Sequence, residues 1–196
     1  MGPEATKSAA LSRAIAEPMR IDPPPMEATV VTRMIFGAAP AQVWKELMFY
    51  EQLKDRPPLL LRFLLPVPIR TEGAKLGVGD EAVCRYEKGY LLKRVTAIDP
   101  ARYEFVVAEQ HLQFGGGLRL SGGSYSLREL PDGRSEVQLT TRYESPRTPR
   151  WLWKPIEAAV CHLFHRYILG AIRREAEAGS GAVEGVRDLP KEPVER

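Results

Sequence analysis

A series of short strand-like segments, separated by tight-turn sequences, follows residue 69 and constrains the fold most strongly. The turns contain Gly, Pro or Asp, as in Asp99-Pro100 and Pro131-Asp132-Gly133. Connections this short join antiparallel neighbours, whereas parallel strands need crossovers of a dozen or more residues. The pattern therefore predicts an antiparallel meander. Its strands are predicted at 81–87, 90–98, 102–111, 118–130 and 135–143.

Different elements are predicted on either side of this meander. Residues 28–36 are rich in β-branched side chains and predict a first strand, and Pro40 suits the first turn of a short helix over 41–48. A long helix is predicted from near Trp151 or Pro155 to about Ala178. Its apolar residues recur at helical spacing, so this helix must cover an apolar surface. They are Trp153, Ile156, Val160, Phe164, Tyr167, Ile168 and Ala171.

Length and composition indicate one globular domain with two extensions. The chain has 196 residues and a net charge of +3, which is too mild to predict a nucleic-acid partner. We expect a flexible N-terminal extension over 1–26, a folded domain over 27–178 and a disordered tail over 179–196. Cys84 and Cys161 are expected to be reduced, since two cysteines alone form neither a disulfide framework nor a four-ligand zinc site. Without a signal sequence or a membrane-spanning run, a cytoplasmic location is expected.

Several short motifs occur in an order typical of one known superfamily. They are Pro40-Ala41-Gln42-Val43-Trp44, Gly77-Val78-Gly79-Asp80, the segment 95–105 and the ending 168–177. In this order the chain resembles the helix-grip fold of the START-like superfamily, also called SRPBCC, and within it the bacterial polyketide cyclase/dehydrase and lipid-transport-like members. The resemblance implies an α+β fold in which a curved antiparallel sheet of about seven strands wraps around the C-terminal helix. It also implies a cavity between the two for hydrophobic ligands. No metal or other cofactor is expected, because the chain has neither the cysteines nor the length of the superfamily's iron-containing members.

Strand alternation gives a candidate set of cavity residues, because side chains two apart in a strand share a face. Apolar members of each row indicate which face points inward, and this places several polar side chains in the predicted cavity. On the last helix, Glu157 shares the apolar stripe. The predicted pocket residues are Tyr86, Phe105, Val107, Glu109, His111, Leu139, Tyr143, Glu157, Val160 and Phe164.

The polar members of this set leave two interpretations open. A buried carboxylate needs a partner, so His111 with Glu157 or with Glu109 would be a pair suited to proton transfer. Alternatively, Glu109 and His111 lie in water near a strand end and Glu157 lies at a frayed helix start. His162 and His165 are expected on the solvated face of the last helix.

The apolar segment 59–65 also has more than one interpretation. It could gate the cavity mouth, touch a membrane surface through Leu60, Phe63 and Leu64, or pack as an ordinary core turn.

Three function classes follow from these features. The first is a monomeric or weakly dimeric carrier or sensor that binds a hydrophobic small molecule such as a lipid, polyketide or isoprenoid. The second is a cyclase or dehydratase, with His111 as acid/base and Tyr86 or Tyr143 as hydrogen-bond donor. The third is a membrane-surface or protein-interaction module that uses the apolar segment 59–65.

Overall fold

The structure is a computed structural model that describes residues 26–49, 59, 65, 68–112 and 117–187. Its elements follow one another along the chain in an order close to the predicted one. They are β1 (Met26–Phe36), α1 (Pro40–Phe49), β2 (Pro68–Gly73), β3 (Glu81–Tyr86), β4 (Gly89–Asp99), β5 (Arg102–Gln110), β6 (Arg119–Glu129), β7 (Ser135–Ser145) and α2 (Arg150–Arg187).

The strands form one seven-stranded antiparallel sheet with the order β1-β7-β6-β5-β4-β3-β2. Strands β2 to β7 are a meander, and β1 pairs with the last strand, from Met26 opposite Ser145 to Phe36 opposite Ser135. The predicted α+β helix-grip architecture is therefore confirmed.

Strand β6 contains a bulge beside the segment Ser121-Gly122-Gly123-Ser124. The pairing of β6 with β7 shifts register between Leu120 and Gly122. A Cβ on Gly123 would lie 2.7 Å from the Thr140 carbonyl oxygen and 2.9 Å from the Phe105 ring. Only glycine fits such a close approach, and the bulge lets the sheet curl.

The main core lies where α1 and the C-terminal half of α2 pack against β1 and against β4 to β7. Phe36 of β1, Val43 of α1, and Leu169 and Ile172 of α2 belong to one cluster and are almost wholly buried. Burial of each of these side chains contributes on the order of 2 kcal/mol. This core anchors the C-terminal half of α2 and leaves its N-terminal half to cover the rest of the sheet. Within the described residues, no helix is long and apolar enough to span a bilayer.

The last helix extends further than predicted, since α2 continues beyond Ala178 to Arg187. The expected disordered tail is therefore wrong for its first part, and residues 188–196 and 1–25 lie outside the described residues. Gly179 costs helix propensity, but a Cβ there would lie 2.4 Å from the Gln42 amide nitrogen of α1. The glycine thus leaves room for the Gln42 side chain, within a helix that continues past it.

Candidate ligand cavity

A cavity of about 550 Å³ lies between the sheet and the N-terminal half of α2. Strands β2 to β7 contribute to its wall, and α1 contributes Leu47 and Met48. Most of the side chains that line it are apolar or aromatic, as in sites that bind small molecules. The cavity exists because the curled sheet is covered by one helix whose side chains leave this space unfilled.

All of the predicted pocket residues except Glu109 and His111 line this cavity. Those that line it are Tyr86, Phe105, Val107, Leu139, Tyr143, Glu157, Val160 and Phe164.

Glu109 and His111 lie on the outer surface, because β5 contains a bulge that alternation alone does not reveal. Leu92 of β4 pairs with Glu109 while Lys93 pairs with Val107, so one extra residue separates the two pairs on β5. Such an insertion turns the following side chains to the opposite face. The Glu109 and His111 side chains do approach each other, at 3.6 Å, but they are 51% and 62% exposed.

Tyr90 explains how this outer pair is held. Its hydroxyl donates to Glu109 Oε2 at 3.1 Å, and its ring stacks on His111 with centroids 4.6 Å apart. The pair is therefore a surface feature near the end of β5, as the alternative interpretation expected.

Glu157 lies at the cavity wall, but its partners are not the predicted histidine. Ser145 donates to Glu157 Oε1 at 2.6 Å, and Arg150 Nη1 donates to Oε2 at 3.0 Å. The side chains of Arg150 and Glu157 are only 17% and 3% exposed. Both interpretations of Glu157 were therefore wrong. Its carboxylate is buried, and its hydrogen bonds with Ser145 and Arg150 connect the end of β7 to the start of α2.

Lys93 is a cavity residue that the sequence analysis missed. It lies on β4 between Leu91 and Val95, which are each 1% exposed, and its Nζ lies 4.5 Å from the centroid of the Phe105 ring. Among the described residues no carboxylate forms an ion pair with it. The signal was available, since Leu91, Lys93 and Val95 alternate along one strand and therefore share its inner face.

The surroundings of Lys93 favour its charged form. Burial acts to lower the pKa of the ammonium group, but the acidic groups of Cys84, Tyr86, Tyr125 and Tyr103 act the other way, and the net effect raises this pKa above its ordinary value. Burial in turn raises the pKa of Tyr86, and it raises that of Tyr125 to about 12. In neutral solution the ammonium group of Lys93 thus lies beside uncharged phenols.

His165 is buried, contrary to the expected solvated position. It is 0% exposed and also lines the cavity. Its Nδ1 lies 2.8 Å from the Thr32 hydroxyl and its Nε2 lies 2.8 Å from the Thr141 hydroxyl. Burial, and then the charge of His162, lower the pKa of His165 to about 4. Both nitrogens are therefore occupied, and the ring is neutral near pH 7.

His162 is also partly buried, because α2 packs against β1 as well as against the cavity. Its Nδ1 lies 2.7 Å from the same Thr32 hydroxyl, which can accept from one ring and donate to the other. Counting only described residues, no group of three His, Cys, Asp or Glu side chains is arranged to hold a metal ion.

Tyr143 contributes a further polar group, its phenol hydroxyl, to the cavity wall. Within the described part of the chain its buried hydroxyl has no hydrogen-bond partner. Burial, followed by the charge of Glu157, raises the pKa of this phenol to about 12, so it remains a hydrogen-bond donor.

The apolar segment 59–65 is described only at its ends. Leu59 is exposed, and Leu65 contributes to the cavity wall. Leu60, Phe63 and Leu64, which carried the gating and membrane hypotheses, lie outside the described residues.

Known structures share this architecture although their sequences have diverged. A protein of Nitrosospira multiformis matches with a TM-score of 0.52 and 14% identity, over 78% of this chain and 99% of the other. The crystal structure of Ara h 8.0201 matches with a TM-score of 0.50 and 16% identity, again over 78% and 99% of the two chains. No protein-family model and no curated protein sequence matches the chain. These matches support the helix-grip fold of the chain, and at this level of identity they support the fold alone.

Proposed function

We propose that the protein binds a hydrophobic small molecule in the cavity between the sheet and α2, as a carrier or sensor of the START-like kind. The observation that carries this proposal is the cavity itself, with about 550 Å³ of space and a largely apolar wall. Burial of apolar ligand surface would supply most of the affinity, at about 25 cal/mol per Å² before the costs of association. The resemblance of the sequence to the START-like superfamily implies a hydrophobic ligand in the same place, which supports the same function.

The enzymatic alternative has less support from the geometry. Its acid/base residue, His111, lies on the outer surface, where it cannot reach a substrate in the cavity. His165 does line the cavity, but Thr32 and Thr141 occupy both of its ring nitrogens.

Titration with an uncharged fluorescent probe, N-phenylnaphthylamine, tests the proposal. We expect saturable binding that brightens the probe, because the cavity would remove it from water. Val107→Trp on β5 and Val160→Trp on α2 each fill the cavity from one side, and either should weaken binding by about tenfold or more, corresponding to at least ~1.4 kcal/mol.

Val31→Trp is the matched control, because Val31 is 40% exposed on β1 and does not line the cavity. Circular dichroism would establish that each variant is folded. No saturable binding by the natural sequence, or equal weakening by Val31→Trp, would overturn the proposed function. Native mass spectrometry and organic extraction of the purified protein would then identify any ligand it retains.

A further inference from the structure

Lys93 is a charged group at the cavity wall, and the described residues supply no ion-pair partner for it. Other partly or fully buried charges are paired, as Arg150 is with Glu157 and Arg142 is with Glu104. An unpaired cation in an apolar site is costly to a fold. The charge of Lys93 is therefore better explained by a ligand that it binds than by a contribution to the stability of the fold.

The environment of Lys93 compensates its charge only in part. The Phe105 ring offers a cation–π contact at 4.5 Å, which is weaker than a hydrogen-bonded carboxylate partner. Tyr86 and Tyr125 line the same cavity, and their neutral phenols can donate hydrogen bonds to an anion beside the ammonium group.

We propose that Lys93 binds the anionic end of the cavity ligand, and that this ligand is a hydrophobic carboxylic acid. The inference rests on the proposed function of the cavity and adds the chemistry of the ligand's polar end. Arg70, Lys75 and Arg147 also line the cavity, but none of them lies on β4 or on the strands beside it. At Lys93 one ammonium group therefore matches one negative charge, whereas a phosphate with its greater charge is more often met by several cations or by an arginine fork. The apolar remainder of the ligand would contact Leu139, Val160 and Phe164.

The orientation of the ligand follows from this assignment. Lys93 lies on β4, on the sheet side of the cavity, while Val160 and Phe164 belong to α2. The carboxylate would therefore lie against the sheet, and the hydrocarbon part would extend toward the helix. The buried carboxylate of Glu157, which already has two partners, would disfavour the reverse orientation.

Pairs of probes that differ only in charge test this inference. The natural sequence is titrated at neutral pH with saturated acids from octanoate to dodecanoate, each beside the alcohol of the same length, by displacement of N-phenylnaphthylamine. We expect each acid to bind about tenfold or more tightly than its alcohol, as a partly buried ion pair permits.

Lys93→Met should abolish this preference, since methionine keeps the unbranched shape and removes the charge. Binding of the alcohols should stay within about twofold, a shift of under ~0.5 kcal/mol. Lys93→Arg, which keeps the charge, should retain a preference for the acid. Lys88→Met, in the exposed turn between β3 and β4, removes the same charge outside the cavity and should change nothing.

The results separate this inference from the function on which it rests. Equal binding of acids and alcohols by the natural sequence, or a preference that survives Lys93→Met, would overturn the role of Lys93 while the hydrophobic cavity stands. Binding of neither class, together with failure of the probe itself to bind, would overturn both.

Discussion

Two charged side chains at the cavity wall have opposite surroundings. Glu157 on α2 is bound by Ser145 at 2.6 Å and by Arg150 at 3.0 Å. Lys93 on β4 has the face of Phe105 and neighbouring phenols, but no carboxylate among the described residues. The difference teaches that burial of a charge alone does not identify a binding residue. Only the charge that the fold leaves without a partner is available to a ligand.

The position of each residue in the fold agrees with this distinction. Ser145 ends β7 and Arg150 begins α2, so the contacts of Glu157 join the sheet to the helix that covers it. Lys93 lies within β4, where the hydrogen bonds of the sheet already hold the backbone. The contacts of Glu157 therefore stabilise the structure, while the ammonium group of Lys93 adds little to it.

The largest effect on stability is expected from Arg150→Met. This substitution leaves the Glu157 carboxylate buried beside an apolar side chain, and loss of one member of a buried ion pair should lower the free energy of unfolding by about 3 kcal/mol. Urea unfolding followed by circular dichroism measures the change.

Arg128→Met is the matched control, because Arg128 forms an exposed pair with Glu136 at 2.9 Å and should contribute under ~1 kcal/mol. The double variant Arg150→Met, Glu157→Leu should recover much of the loss. If Arg150→Met costs no more than Arg128→Met, the structural role of the Glu157 contacts is wrong.

A third buried polar group, His165, avoids the cost of burial by remaining neutral, and this predicts a pH dependence of stability. Its pKa is lowered from 6.5 to about 4 in the folded chain. Between these values the unfolded chain binds more protons, so the free energy of unfolding falls as the pH is lowered from 6.5 toward 4. The full shift corresponds to about 3 kcal/mol.

Urea unfolding at a series of pH values measures this loss. His165→Gln should make the dependence on pH shallower across this range, whatever its effect near pH 7. His111→Gln alters an exposed histidine and should leave the slope as it is. Equal slopes for the natural sequence and His165→Gln would show that this ring does not govern acid stability.

A smaller effect, with the opposite sign, is expected when Lys93→Met is made without any ligand. Removing an unpaired cation from an apolar wall should leave the free energy of unfolding unchanged or raise it by about 1 kcal/mol. The comparison with Arg150→Met is made in the same urea experiment. A destabilisation of about 2 kcal/mol or more would mean that Lys93 has a structural partner and that the contrast with Glu157 does not hold.

The fold could be predicted from the sequence because its signals are local. Turns such as Asp99-Pro100 and Pro131-Asp132-Gly133 can be recognised without knowing what packs on them. The end of α2 could not be predicted in this way, since Gly179 and Gly181 are residues typical of a helix end but lie inside α2.

The cavity was predicted only in part, for a related reason. The alternation of side chains along β5 predicted correctly that Phe105 and Val107 line the cavity. The same prediction was wrong for Glu109, because the bulge after Val107 turns that side chain outward. The partners of Glu157 and His165 also depend on tertiary contacts. Ser145 of β7 binds Glu157, and Thr32 of the distant strand β1 binds His165. Lys93, by contrast, could have been predicted. The apolar residues Leu91 and Val95, two positions before and after it, indicate which face of β4 points inward.

The smallest effect is expected at His111, the residue on which the enzymatic hypothesis depended. Its side chain is 62% exposed and stacks on Tyr90 outside the cavity. His111→Ala should therefore change the free energy of unfolding by less than ~0.5 kcal/mol, as for most surface substitutions, and leave probe and acid binding unchanged. Titration of this variant beside Lys93→Met makes the comparison direct, since only Lys93 lines the cavity. A loss of acid binding in His111→Ala would mean that the anion-binding site lies at the outer end of β5 and not at Lys93.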